Sequence, residues 1–73
     1  MSHEHISSNE IKKDIRDTEL EIMDLERKIK GYTLIGDKMS LFLADGIKNS
    51  VKERREFITR LEQILATRLE SLI

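Results

Sequence analysis

Ile11, Ile15, Thr18, Ile22, Leu25, Ile29 and Tyr32 follow one another at alternating steps of four and three residues. A mean step of 3.5 residues holds a stripe on one side of a helix, turned toward one partner helix. Only Thr18 in this stripe is not large and apolar. Just upstream, Ser7 and Glu10 have the spacing of a capping box, and Ile6 with Ile11 that of a hydrophobic staple. The pattern predicts a first helix from Ser8 to about Lys30. Arg27, Lys28 and Lys30 would complement the negative end of its dipole, and Gly31 would serve as a left-handed C-cap. Residues 1–6 are polar and predicted to be disordered, and residues 7–73 form a single domain.

A second stripe runs through Ile47, Val51, Ile58, Leu61, Leu65 and Leu72, interrupted by Arg54 and Arg68. Between the stripes, Tyr32, Leu34 and Ile35 are apolar, which predicts a packed turn. Asp37 can cap a helix that starts at Lys38. Two readings compete for its extent. In one, a short helix carries Met39 to Leu43, breaks at Asp45–Gly46 and restarts from a capping box at Ser50 and Glu53. In the other, one helix runs from about Lys38 to Ser71 and tolerates Gly46 at about 1 kcal/mol. A stripe that starts at Ile47 and passes through the Ser50 cap favours the continuous helix. Either way the chain is all-α: an antiparallel helical hairpin of long helix, turn, long helix.

One partner helix cannot cover every apolar position. Phe57 and Ile64 flank the second stripe on one side, Leu69 and Ile73 on the other, and Leu20 and Met23 lie off the first stripe. Exposed apolar surface of this extent on a small protein marks an interface. These six residues are the predicted contact with a second copy or with a partner, and a homodimer forming a four-helix bundle is the expected assembly.

Composition narrows the picture. The chain has 73 residues, 37% of them charged and 4% aromatic, with three Gly, no Pro and no Cys. That suits long helices. The missing Cys removes thiol chemistry and disulfide staples. A net charge of −1 gives no global field toward nucleic acid. No apolar run reaches the ~20 residues of a membrane span. Met1 to Ser8 have no basic segment followed by an apolar one, so no secretory signal is expected and a cytoplasmic location is.

Candidate chemistry is sparse. Gly31 to Ser40 resembles a phosphate loop only loosely, because Asp37 separates Gly36 from Lys38 and no strand precedes it. His3 and His5 could grip copper adventitiously near a free terminus. The pairs Asp14/Asp17 and Asp17/Glu21 share a helix face but lack the histidines of a bundle metal site. Lys48, Lys52, Arg54 and Arg55 form a candidate basic patch, with no aromatic to stack a base. Arg54 and Arg68, at stripe positions, either extend to solvent along packed stems or set helix register. No cofactor, metal or catalytic residue is expected. The expected function is a small non-enzymatic interaction module, an adaptor, regulator or assembly chaperone that works by helix packing. The alternatives are a hairpin-dimer nucleic-acid regulator and a phage- or plasmid-type inhibitor of a partner protein.

Overall fold

The computed structural model describes residues 7–71, with side chains described as far as Leu69. Two helices make up the fold, α1 (Ser8–Ile35) and α2 (Lys38–Ser71), joined by Gly36 and Asp37. They pack antiparallel into a rod 53 Å long and 21 Å by 16 Å across. Its length is set by α2, whose 34 residues span about 51 Å at 1.5 Å each.

The first helix starts where its capping signal lies. Ser7 is extended (φ −68°, ψ 151°), and its Oγ accepts a hydrogen bond from the Glu10 amide at 3.1 Å. That satisfies one of the amides a helix start leaves unpaired. Ile6, the other half of the predicted staple, lies outside the described residues.

The end of α1 corrects the sequence reading. The helix passes through Gly31 and continues to Ile35, and Gly36 is the residue that turns left-handed, at φ 73°. Its amide reaches back to the Tyr32 carbonyl at 3.1 Å. The apolar stripe already implies this, since Tyr32 extends it past Gly31. A helix ends where its packing ends, and a glycine inside it costs only about 1 kcal/mol. The expected packed turn is also corrected: Leu34 is 80% exposed and Ile35 66%.

The continuous form of the second helix is what folds. Asp37 is its cap, the Oδ1 accepting from the Ser40 amide at 2.7 Å. The hydrogen bond to the backbone amide of Ser40, then that to its side chain, holds the Asp37 carboxyl below the ordinary aspartate pKa. Gly46 and Ser50 lie inside the helix without a break.

The core is the pair of stripes. Ile11, Thr18 and Ile22 of α1 are buried, as are Ser40, Ala44, Val51 and Leu61 of α2. The α2 stripe thus begins at Ser40, one heptad before its first large residue. Next to the two-residue turn the buried positions of α2 are small, Ser40 and Ala44. Thr18 satisfies its own hydroxyl by donating to the Asp14 carbonyl at 2.7 Å. It is therefore buried without an unpaired group. Among the described residues no helix is long and apolar enough to cross a membrane.

Candidate interaction surface

Cross-helix bonds fix the register and separate two flanks. Arg54 Nε donates to Glu21 Oε2 at 2.8 Å, and Arg68 donates to Ser8 Oγ at 3.2 Å. Both seam arginines therefore reach across to α1, and they set Arg54 level with Glu21 and Arg68 level with Ser8. Arg55 donates to Glu26 Oε1 at 3.0 Å. Glu21 and Glu26 lie about 140° apart around α1, five residues at about 100° each. The two ion pairs thus mark opposite flanks of the hairpin.

The Arg55 flank is basic. Lys48, Lys52 and Arg55 line a shallow open groove that continues to Arg60. Along this side α2 presents Leu41, Lys48, Arg55, Glu62 and Leu69 at seven-residue intervals. Acidic neighbours temper its charge: Asp45 lies 3.8 Å from Lys48, and Glu26 holds Arg55. Of the four residues expected to form the basic patch, Lys48, Lys52 and Arg55 come together here, whereas Arg54 turns to the other flank.

The Arg54 flank is apolar on α2 and acidic on α1. Leu43, Ser50, Phe57 and Ile64 recur there at seven-residue intervals. Phe57 is 40% exposed and Ile64 half-buried. Facing them, the shoulder of α1 carries Glu10, Asp14, Asp17, Glu21 and Asp24 at alternating steps of four and three, all exposed. The pairs Asp14/Asp17 and Asp17/Glu21, visible in the sequence as shared faces, are the middle of this row. Its signal is the same four/three spacing that marks a seam, carried by charge instead of by apolar side chains.

The other expected interface residues are spread out. Leu20 and Met23 sit half-exposed on the outer face of α1, and Leu69 is exposed on the basic flank near the open end. Ile73 lies outside the described residues. The structure therefore brings Phe57 and Ile64 together and leaves Leu20, Met23 and Leu69 on other faces.

Sequence reasoning misses the hairpin tip. Leu34, Ile35, Met39, Leu41, Phe42 and Leu43 surround the turn and are all exposed, Phe42 by 73%. The signal is present: only Gly36, Asp37, Lys38 and Ser40 interrupt apolar residues over this stretch. Apolar residues in sequence suggest packing, but a two-residue turn is so short that it leaves nothing for these side chains to fold under.

The region that loosely matches a phosphate loop is the end of α1 and the cap of α2, so Gly36 and Asp37 serve chain reversal. His3 and His5 lie outside the described residues, and among the described residues no group of three or more His, Cys, Asp or Glu is placed to hold a metal. No family model, curated protein or solved structure matches the chain.

Proposed function

We propose that the protein is a small non-enzymatic interaction module, an adaptor, regulator or assembly chaperone that binds another protein by helix packing. The observation that carries this reading is the row of Leu43, Phe57 and Ile64 beside a complete two-helix seam. Each helix has already used its four/three stripe on the other, yet α2 repeats large apolar residues along a further side. The hairpin leaves part of this row uncovered, which suits a third helix laid along it. Self-association into a four-helix bundle is the version of this reading in which the occupant is a second copy.

The basic flank supports a nucleic-acid regulator less well. Its cations are interleaved with Asp45 and Glu56, which repel phosphate. Affinity there should stay in the nonspecific range of roughly 10⁻⁴ to 10⁻⁶ M at physiological salt. Affinity purification from the native host at moderate salt, with protein and nucleic acid both analysed, separates the two. A stoichiometric protein lost on Phe57→Ser/Ile64→Ser is expected. A defined RNA or DNA lost on replacing Lys48, Lys52 and Arg55 with Gln would contradict the proposal.

A further inference from the structure

The structure assigns the Arg54 flank to a basic amphipathic helix of a different protein, apolar side chains on Phe57 and Ile64 and a row of Lys or Arg along Glu10 to Asp24. This rests on the interaction-module reading and names the chemistry of the partner.

Three observations converge. The first is position. With Arg54 level with Glu21 and Arg68 level with Ser8, Phe57 and Ile64 fall within the stretch of α1 that carries the acidic row. The acidic row spans about 21 Å, fourteen steps along the helix at 1.5 Å each. A partner helix of about four turns would lie on both rows at once.

The second is the cost of the row to the hairpin itself. Glu10/Asp14, Asp14/Asp17, Asp17/Glu21 and Glu21/Asp24 are like charges at helix-neighbour spacing, which destabilise a helix. Among the described residues, the ion pairs within 4 Å relieve only Glu21, through Arg54, and Asp24, through Arg27. Glu10, Asp14 and Asp17 have none. Glu10 helps the start of α1, where an acid in the first turn complements the helix dipole, but the dipole gives no such account of Asp14 and Asp17 further along the row.

The third is the charge of the alternative occupant. A second copy docking through the same flank would bring its own acidic row, while the cations on that side are Arg54, already held by Glu21, and Lys28, four residues beyond Asp24 at the end of the row. Its Lys48, Lys52 and Arg55 lie on the opposite flank, where the row at seven-residue spacing is polar between Leu41 and Leu69. Charge complementarity and the apolar row together therefore favour a foreign helix that carries both features.

The test uses the full chain and three synthetic helical peptides of about eighteen residues. All share Leu at four/three spacing; the row beside the Leu stripe is Lys in one, Gln in the second and Glu in the third. Binding is followed by fluorescence anisotropy at low and high salt. The Lys peptide should bind at least about tenfold more tightly than the Glu peptide, an advantage that salt reduces. Glu10→Gln/Asp14→Asn/Asp17→Asn should abolish that advantage with helicity unchanged, and Phe57→Ser should weaken all three peptides. If the Lys and Glu peptides bind equally well, the charge assignment fails while the interaction-module reading stands. If no peptide binds, both fail. If the unliganded chain self-associates and Phe57→Ser makes it monomeric, the occupant is a second copy and the inference is overturned.

Discussion

Gly36 is the residue on which the hairpin turns. At φ 73° an L side chain is strained, although an added Cβ would only make ordinary contact with the Thr33 carbonyl oxygen at 3.6 Å. Gly31 and Gly46 are helical with nothing within 4 Å of an added Cβ. The three glycines should therefore respond with opposite signs. Gly36→Ala should lower stability by about 1–2 kcal/mol. Gly31→Ala and Gly46→Ala should each raise it by roughly 0.5–1 kcal/mol. Urea unfolding of the three variants measures this. A stabilising Gly36→Ala would mean the turn lies elsewhere.

Asp37, beside it, gives the fold a pH dependence. Its carboxyl is held below the ordinary aspartate value in the folded chain, because the ionised form accepts the Ser40 bonds. A depressed folded pKa adds stability that is complete above the unfolded value, about 3.9 for aspartate. That contribution is lost as pH falls through the folded value. Asp37→Asn retains a capping oxygen but not the charge. The stability gap between wild type and this variant, measured by thermal unfolding, should therefore shrink between about pH 5 and 2. A gap that stays constant with pH would exclude the charged cap.

At the scale of elements, the α1 stripe is legible because its period is unambiguous: every position from Ile11 to Tyr32 in it is at least half-buried in the hairpin. The start of α1 is legible because Ser7 and Glu10 are local signals. Its end is not, because Gly31 and Gly36 are both plausible stops, and which one turns depends on how far the stripe finds a partner. The sequence shows the α2 stripe only from Ile47, because Ser40 and Ala44 are small and look polar or neutral. Burial grades the stripes further. Ile11 is fully buried and Leu61 4% exposed, whereas Leu25 is only half-buried. Ile11→Ala and Leu61→Ala should each cost roughly 2–5 kcal/mol as cavity-forming truncations. Leu25→Ala should cost distinctly less, since part of its side chain already meets water. Chemical denaturation of the three variants tests the order; an equal loss at Leu25 would place a further element over it.

For the whole molecule, the sequence contains the width of the apolar surface but not its division. Phe57, Ile64, Leu20, Met23 and Leu69 all read as excess to a single seam. Only the cross-helix pairs Arg54–Glu21 and Arg55–Glu26 show that they lie on different sides and that one side is acidic. Charge totals hide this, because a net charge of −1 is the sum of an acidic flank and a basic one. The same division separates Arg54 from Lys48, Lys52 and Arg55: that side chain is committed to the opposite flank. The hairpin is thus a short two-sided rod in which one flank carries apolar and acidic rows side by side.

The most direct test of that claim locates the contact on the molecule. The full chain, labelled with ¹⁵N, is titrated with the Lys-bearing helical peptide, and amide shifts are mapped along both helices. Shifts concentrated in Glu10 to Asp24 and around Phe57 and Ile64, with Lys48, Lys52, Arg55 and the tip from Leu34 to Phe42 little changed, are predicted. Shifts centred on the tip or on the Lys48 flank, with Phe57 and Ile64 undisturbed, would contradict it.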